Sequence, residues 1–310
     1  MIDELFGEWK DKSTVLCHWS VNIKDWNPTE VEYDELLGLL NTSKERERLN
    51  KFKGRNDRLL GLMGKLLIYG SITQLAVVEI AAQEKKAFKD VWRDIRFSYN
   101  PQGRPCLAES FIMKYLYMAA VDFNISHHGD FVSLVVCSNG QVGIDVAKVE
   151  VPSSDETAEK FISWYKDEFS QEEWYRINNC SETIDYGKLN RFMEIWCLKE
   201  SLLKGLGTGL QLPLSSISFD LGKKPLSSDM KTAWRDTKVS IHQTAVKAPT
   251  DLNAKLDRWS FEEIYLDHKH CTSIAFRPNK EVLSNDPVFT HGLKIWTASN
   301  FCKIVFSFLE

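Results

Sequence analysis

The chain lacks the features that would tie it to a membrane, a disulfide framework or nucleic acid. No apolar run among its 310 residues has the length of a bilayer-spanning helix, and the run 301–309 contains Lys303. Its first five residues carry acid where a secretory leader carries base, which predicts no leader. The seven cysteines include no C-x-x-C pair, and the formal net charge is −4 with both signs mixed. We therefore expect reduced thiols, a cytosolic location, and neither a membrane nor a nucleic-acid partner.

A nucleotide-binding P-loop is also missing, because no G-x-x-x-x-G-K-[ST] pattern occurs. Gly205, Gly207 and Gly209 follow a predicted helix instead of opening one, which is the wrong side for a phosphate nest. An Mg²⁺-dependent phosphotransfer enzyme that uses a nucleotide stays open as one interpretation, although no such loop supports it.

The segment 192–206 has the periodicity of a helix, and the glycines after it indicate where the helix ends. Glu200 and Lys204 lie one turn apart on the same face, with Trp196 one turn before them. One interpretation is a surface ion pair between Glu200 and Lys204, which contributes about 0.2–0.5 kcal/mol. That interpretation does not explain why the same face carries a tryptophan.

Asp145 stands in a β-branched run that predicts a largely buried strand. Aspartate is depleted in strands, and a buried carboxylate without a partner is costly. Three explanations stay open for an isolated aspartate: a strand end at the surface, a buried hydrogen-bond network, or a bound cation.

Two motifs resemble the signatures of a known family. Val142-Gly143-Ile144-Asp145, followed downstream by Trp196-Cys197-Leu198-Lys199-Glu200-Ser201-Leu202-Leu203-Lys204, is similar to the two motifs of the Sfp-type 4'-phosphopantetheinyl transferases. The resemblance extends to Asn124-Ile125-Ser126-His127, to Gln102-Gly103-Arg104-Pro105 and to an early helix predicted from Glu45 to Ile68.

The resemblance implies an enzyme that transfers the phosphopantetheine arm of coenzyme A to a serine hydroxyl of a carrier protein and releases adenosine 3',5'-bisphosphate. It implies Mg²⁺ held by Asp145 and Glu200. This ligand set is typical of Mg²⁺, which commonly binds one or two carboxylates and completes its coordination shell with waters and phosphates. Many bacterial members carry an acidic residue two positions after the strand aspartate, where this chain has Ala147. We therefore expect two protein ligands.

The same resemblance assigns the other roles. Glu200 would accept the serine proton, directly or through a metal-bound water, and Lys204 would neutralise the phosphate being transferred. Lys199 is a second candidate for the phosphate, although adjacent helical residues point about 100° apart.

The binding residues for coenzyme A follow from the shorter elements. His127 would lie near the 3'-phosphate together with Arg48, and the remaining contacts would come from Gln102, Gly103, Arg104, Asn124, Ile125 and Ser126. A solvated helix face is the alternative for Arg48, and a structural role is the alternative for His127. Tyr99 occupies a place where close relatives carry a basic residue, so its contact is an open question.

The predicted fold class is α/β (α+β): two similar subdomains related by a pseudo-two-fold axis, with the ligand cleft between them. Capping-box patterns at Thr42 and Ser170 each precede a helix, and predicted strands follow at 131–137 and 271–277. The predicted halves are 1–140 and 141–280, the second with both motifs. The remaining residues, 281–310, form a tail without an assigned role, apolar enough over 296–309 to pack back or to meet a partner.

The expected partners are coenzyme A and acyl or peptidyl carrier domains, of the fatty acid synthase, aminoadipate-type reductase or mitochondrial type. Such carriers are typically acidic helical bundles, so Lys160, Lys166, Lys188 and Arg191 are candidates for their docking surface, with solvated charges as the alternative. The family implies a monomer. A coenzyme A-binding regulator that has lost transfer activity is the alternative function, against which the intact Asp145, Glu200 and Lys204 argue.

Overall fold

The computed structural model describes residues 16–81, 88–151, 157–180, 184–207, 212–222, 237–241, 256–279 and 291–309. The first five residues and Gly209 lie outside these ranges. The chain divides into two compact units, Met1–Gly140 with Val288–Glu310, and Gln141–Pro287. Each has a mixed α/β architecture.

The first unit is built on a four-stranded sheet in the order β11-β1-β5-β4. Strand β1 pairs parallel with β11 and antiparallel with β5, and β4 and β5 form a hairpin. Its strands are β1 (Leu16–Asn22), β2 (Phe97–Tyr99), β3 (Pro105–Leu107), β4 (Val121–His128), β5 (Phe131–Ser138) and β11 (His291–Thr297). Its helices are α1 (Glu30–Gly38), α2 (Ser43–Asn50), α3 (Arg55–Ala81), α4 (Phe88–Asp94), α5 (Glu109–Lys114) and α9 (Ala298–Leu309).

Helix α3 forms the centre of this unit's core. The predicted apolar stripe of Leu59, Leu62, Met63 and Leu66 is buried in it. The stretch Arg55–Val77 is long and apolar enough to cross a membrane. The prediction that no apolar run has that length overlooked this helix. Because 83% of this stretch is buried, it has the character of a core helix.

The early helix predicted from Glu45 to Ile68 is two helices, α2 and α3, so this prediction was wrong in its continuity. Thr42 caps α2, since its side chain accepts a hydrogen bond from the backbone N–H of Glu45. The break falls at residues 51–54, and Leu49, in the last turn before it, is buried in the core. Arg48 therefore lies on a short helix of its own.

The second unit contains a three-stranded sheet in the order β6-β10-β9 and a small sheet of β7 and β8. Its strands are β6 (Gly140–Lys148), β7 (Ile217–Asp220), β8 (Lys238–Ile241), β9 (Ser260–Asp267) and β10 (His270–Pro278). Its helices are α6 (Ala158–Ser163), α7 (Gln171–Asn178) and α8 (Ile184–Leu206). The predicted strands 131–137 and 271–277 are confirmed as β5 and β10, and the capping box at Ser170 begins α7.

Residues 291–309 of the predicted tail form β11 and α9, and both belong to the first unit. Strand β11 extends the sheet through β1, and Phe301 and Val305 of α9 are buried in the core. The tail therefore packs back onto its own chain. The pseudo-two-fold axis and the cleft between the halves stay predictions.

Candidate active site

Gly143, the glycine of the first motif, allows the backbone of strand β6 to lie directly against the backbone of helix α8. A Cβ atom at position 143 would lie 1.9 Å from the carbonyl oxygen of Ser201 and 2.4 Å from the backbone nitrogen of Gly205. A Cβ at Gly205 would in turn lie 2.6 Å from the ring of Trp259. Since only glycine lacks this atom, residues 143 and 205 together set the distance between strand and helix.

Helix α8 ends where the sequence predicts. Gly207 has φ +67°, a left-handed conformation that favours glycine, and its N–H donates to the carbonyl of Leu203 at 3.0 Å. The last turn of α8 therefore holds Lys204 beside strand β6.

Asp145 lies on β6 as predicted, and its partner is Lys204. The ammonium of Lys204 is 2.7 Å from Oδ1 of Asp145, in a pair whose side chains are 30% and 11% exposed. The backbone carbonyl of Asp145 accepts a hydrogen bond of 2.6 Å from the hydroxyl of Thr272 on β10. The surface ion pair considered for Glu200 and Lys204 is therefore replaced by a pair that joins the two motifs.

Glu200 faces the same group of charges. Burial raises the pKa of Glu200 above its ordinary value, the negative charge of Asp145 raises it further, and the charge of Lys204 lowers it. Among the described residues Glu200 has no ion-pair partner. The carboxylates of Asp145 and Glu200 thus repel each other, and the charge of Lys204 only partly offsets this repulsion.

This arrangement fits a divalent cation. Oxygen donors from two carboxylates suit Mg²⁺, and a cation between Asp145 and Glu200 would relieve their repulsion. In the part of the chain that the structure describes, no cluster of three or more His, Cys, Asp or Glu side chains could hold a metal ion. Ala147, two positions after Asp145, is buried and offers no ligand. Water and substrate phosphate would complete the shell.

Lys199 has a different environment, which argues against its predicted contact with a phosphate. Its side chain is fully buried, and its ammonium lies 2.9 Å from Oε2 of Glu173, 2.8 Å from the carbonyl of Leu214 and 2.8 Å from that of Ile217. These acceptors engage all three N–H donors of the ammonium. Burial lowers the pKa of Lys199, and the charge of Glu173 opposes that effect. Lys199 is a structural residue in this conformation.

Trp196 anchors the helix one turn before Glu200. Its ring stacks on Phe192 at 5.9 Å between centroids and meets Tyr165 edge-on at 5.2 Å. Phe169 lies 6.4 Å away. The tryptophan therefore belongs to an aromatic cluster that fastens segment 165–169 to α8.

The opposite face of α8 lies on the sheet through a row of side-chain pairs. The hydroxyl of Tyr265 donates to Glu194 at 2.9 Å, and two further pairs follow along the helix toward its end: Cys197 with Cys271 at 3.8 Å between sulfurs, and Ser201 with Ser273 at 3.3 Å between hydroxyl oxygens. Burial raises the pKa of Cys197. These contacts fix which residues of α8 point away from the sheet.

In the first unit, Arg48 contacts Tyr99. The guanidinium carbon lies 5.5 Å from the centroid of the Tyr99 ring, and Tyr99 is 41% exposed. Lys65 of α3 lies on the same ring and pairs with Glu45 at 3.1 Å. The structure thus brings Arg48 to the hairpin that carries the predicted binding loop.

The loop of Gln102, Gly103 and Arg104 is the turn of the β2–β3 hairpin. Gly103 has φ +84°, and its N–H donates to the carbonyl of Asn100 at 2.9 Å. The guanidinium of Arg104 binds both carboxylate oxygens of Asp122 at 2.8 Å. A phosphate at Arg104 would have to compete with Asp122.

The element Asn124 to His127 lies on β4, the edge strand of the sheet. Alternation along the strand places Asn124 and Ser126 on one face and Ile125 and His127 on the other. Asn124 and Ser126 are buried, whereas His127 is exposed. The side chain of Ile125 packs on the core, so only its backbone could contact a ligand.

Sequence reasoning missed Thr272, Glu173 and Glu168. Thr272 contacts Asp145 across 127 residues of the chain, and nothing in its local sequence marks it. Glu173 pairs with Lys199, and the sequence marks it only as the glutamate of the capping box at Ser170. Glu168 raises the pKa of Glu200 through its charge, after the larger effects of burial and Asp145. In the sequence, Glu168 lies between Tyr165 and Phe169, the two aromatic residues that pack on Trp196 in the structure.

Comparison with known proteins adds to this geometry. Residues 24–139 match the family described as 4'-phosphopantetheinyl transferase, N-terminal, and residues 141–275 match the 4'-phosphopantetheinyl transferase superfamily. The chain belongs to the 4'-phosphopantetheinyl transferase superfamily. This family transfers phosphopantetheine from coenzyme A to carrier proteins.

Its relatives include animal, protist and bacterial proteins. The chain is 28% identical over 260 residues to the L-aminoadipate-semialdehyde dehydrogenase-phosphopantetheinyl transferase of Rattus norvegicus, covering 84% of this chain and 74% of that protein. It is 28% identical over 260 residues to a phosphopantetheinyl transferase of Thraustochytrium, covering 83% and 77%. It is 31% identical over 193 residues to the 4'-phosphopantetheinyl transferase ffp of Bacillus subtilis, covering 62% and 71%.

Proposed function

We propose that this chain transfers the 4'-phosphopantetheine arm of coenzyme A to a serine of an acyl or peptidyl carrier domain, with Mg²⁺ held by Asp145 and Glu200. The observation that carries the residue assignment is the 2.7 Å pair of Lys204 with Asp145, beside a Glu200 whose pKa burial raises. Asp145 belongs to the first motif, Glu200 and Lys204 belong to the second, and the charges of Asp145 and Lys204 both act on Glu200.

The reaction forms one bond and breaks one. The serine oxygen bonds to the phosphorus that carries the pantetheine arm, and the bond from this phosphorus to adenosine 3',5'-bisphosphate breaks. Glu200 accepts the serine proton, directly or through a metal-bound water, from its position beside Asp145 and Lys204. Lys204 balances the negative charge on the phosphate oxygens. Bound Mg²⁺ would supply Lewis acidity toward the pyrophosphate.

The test is intact-mass analysis of an apo acyl carrier protein after incubation with this chain, coenzyme A and Mg²⁺. The expected result is a mass gain of one phosphopantetheine that EDTA prevents. A gain that EDTA leaves unchanged would refute the metal assignment. No gain, with coenzyme A binding retained in calorimetry, would favour the alternative of a coenzyme A-binding regulator.

Two glutamate variants separate the site from general effects. Glu200→Gln keeps the size of the side chain and removes its charge, and we expect it to abolish the mass gain on the time scale of the unaltered protein. Glu35→Gln makes the same change on the exposed face of α1 and serves as the matched control. Equal activity of both variants would contradict the role of Glu200.

The carrier domain would dock on a surface around Trp164, which we define as Lys160, Trp164 and Lys166. Trp164 is 57% exposed, and the ammonium of Lys160 lies 5.8 Å from its ring centroid. The following residue, Tyr165, packs on Trp196 one turn before Glu200. An acidic helix with an apolar patch complements this surface, next to the proposed proton acceptor.

Lys188 and Arg191, the other two candidate cations, form ion pairs. Lys188 lies 3.2 Å from Glu159, and Arg191 lies 3.2 Å from the buried carboxylate of Glu194. Because Lys160 and Lys166 are exposed beside Trp164, Lys160→Glu and Lys166→Glu should raise the KM for the carrier and leave the KM for coenzyme A unchanged. Lys89→Glu, on the exposed side of α4, is the control. An equal effect of all three variants would contradict the docking surface.

The narrower assignments follow from the same proposal. We propose action as a monomer in the cytosol on carriers of the fatty acid synthase, aminoadipate-type reductase or mitochondrial type. All seven cysteines are free thiols, and five of them are buried, which supports a reducing compartment. Parallel mass assays on the three carrier types would rank them.

A further inference from the structure

Three elements of the first unit converge on the ring of Tyr99. Tyr99 ends β2 and is 41% exposed, and the guanidinium carbon of Arg48 on α2 lies over its ring, 5.5 Å from the centroid. The ammonium of Lys65 on α3 lies 5.8 Å from the ring centroid and 3.3 Å from the Tyr99 hydroxyl. One exposed phenol therefore contacts two cations from two different helices.

The two cations differ in how far their charge is balanced. Lys65 lies 3.1 Å from Glu45, in a pair whose side chains are 15% and 9% exposed. The other carboxylate oxygen of Glu45 accepts a hydrogen bond of 2.9 Å from the hydroxyl of Tyr69. Arg48 is exposed and has no carboxylate partner among the described residues. The cluster thus presents one uncompensated positive charge at the surface.

The hairpin holds Tyr99 in a defined place. The N–H of Asn100 donates to the carbonyl of Arg104 at 3.0 Å, and the N–H of Arg104 donates to Oδ1 of Asn100 at 2.8 Å. Arg104 in turn binds Asp122 of β4. The turn is closed from both sides and fastened to the sheet, so the ring of Tyr99 gives Arg48 a fixed support.

We propose that Tyr99 is a specificity-determining residue for the nucleotide end of coenzyme A. Its ring contacts the Arg48 guanidinium, which is exposed and can donate N–H groups to a phosphate. The Tyr99 hydroxyl is neutral, and a second unbalanced cation at this position would bind a phosphate more strongly. This inference rests on the proposed function, together with the contact between Arg48 and the 3'-phosphate that the family resemblance implies.

The consequence concerns the 3'-phosphate. A phosphate monoester carries a charge near −2 at neutral pH, and this cluster offers one unbalanced positive charge to meet it. Loss of the phosphate therefore removes the contact with one unbalanced charge. We expect 3'-dephospho-coenzyme A to remain a donor, with a kcat/KM about 10- to 100-fold below that of coenzyme A, the order of one charge-assisted hydrogen bond.

The experiment compares kcat/KM for the two donors in the unaltered chain and in two variants. Tyr99→Arg adds a cation at the phosphate and should raise the preference for coenzyme A by about tenfold or more through a lower KM. Tyr99→Phe keeps the ring and removes the hydroxyl, and should lower the preference by a few-fold.

Tyr175→Arg is the matched control, because Tyr175 is an exposed tyrosine of the second unit and gains the same charge. Its donor preference should equal that of the unaltered chain. An unchanged preference in Tyr99→Arg, or an equal rise in Tyr175→Arg, would overturn the role of Tyr99 while transfer itself persists. Absence of transfer from either donor by the unaltered chain would overturn the proposed function and this inference with it.

Discussion

Helix α8 carries two lysine–carboxylate pairs in different environments. Lys204 pairs with Asp145 at 2.7 Å where solvent reaches the lysine, which is 30% exposed. Lys199 pairs with Glu173 at 2.9 Å where neither side chain is exposed at all. The first pair stands beside a carboxylate of raised pKa, and the second is closed by backbone groups. The first pair therefore belongs to the proposed catalytic site, whereas the second stabilises the fold.

The difference lies in the hydrogen bonds that remain for a ligand. The carboxylate of Glu173 accepts N–H groups of Ser170 at 2.8 Å and Phe219 at 2.9 Å in addition to the ammonium of Lys199. This pair joins the start of α7, strand β7 and α8 into one body. A buried pair with every group satisfied is costly to break and has nothing to offer a substrate.

The largest expected effect is a loss of activity in a variant of Glu200, which a variant of the buried Glu173 should not reproduce without a loss of stability. Glu200→Gln should lower kcat/KM for carrier modification on the order of 10³-fold, because the variant loses both the proton acceptor and a metal ligand. Its free energy of unfolding should change by less than about 1 kcal/mol, since Glu200 has no ion-pair partner among the described residues. Single-turnover mass kinetics and urea unfolding measure the two quantities.

The matched variant is Glu173→Gln, the same substitution in the buried pair. We expect it to lose stability first, because Lys199 would keep a buried charge without its counter-charge. If Glu173→Gln unfolded at the urea concentration of the unaltered chain, the structural role of this pair would be refuted.

The second prediction concerns the two lysines. Lys199→Met should lower the free energy of unfolding by about 3–5 kcal/mol, because the carboxylate of Glu173 is left buried and unpaired. Lys204→Met should cost about 1 kcal/mol, since solvent can replace its ammonium, yet should lower kcat/KM on the order of 10²-fold. Urea unfolding and carrier kinetics on both variants give a two-by-two comparison. Equal losses of stability in both variants would contradict the distinction between the pairs.

The sequence predicted the strand of Asp145, the helix of Glu200 and Lys204, and the glycine that ends this helix. It could not separate Lys199 from Lys204, because burial of Lys199 depends on residues 173, 214 and 217, which fold around it from elsewhere in the chain. The early helix was predicted without its break because helix-forming residues continue on both sides of residues 51–54. The return of residues 291–309 to β1 rests on a parallel pairing of strands from the two ends of the chain, which local patterns do not encode.

The third prediction tests the approach of β6 to α8. Gly143→Ala would place a Cβ 1.9 Å from the carbonyl oxygen of Ser201, so the strand or the helix has to move. We expect a loss of about 1–3 kcal/mol in unfolding free energy, typical of an overpacked site. Carrier kinetics should fall further than this loss explains, because the shift separates Asp145 from Glu200. Gly38→Ala, where a Cβ meets no atom within 4 Å, is the control.

The smallest expected effect is a pH dependence confined to the open site. Burial, and then the charge of Asp145, raise the pKa of Glu200 above its ordinary value of 4.5. Between those two pKa values the folded chain binds the proton at Glu200 more than the unfolded chain does. The free energy of unfolding therefore falls as pH rises from 4.5 through the raised pKa, and then levels off. In EDTA, the difference in unfolding free energy between the unaltered chain and Glu200→Gln should fall over this interval.

Two additions identify the cause of that fall. Asp145→Asn removes the second contribution to the raised pKa, so the fall should become smaller in that background. Mg²⁺ binds the ionised carboxylates, so a saturating concentration should oppose the fall by stabilising the folded chain above the raised pKa. A difference that stays flat with pH would place Glu200 in ordinary solvent. The open pair would then differ from the buried pair of Lys199 and Glu173 only in exposure, and the charge repulsion that makes it a cation site would be absent.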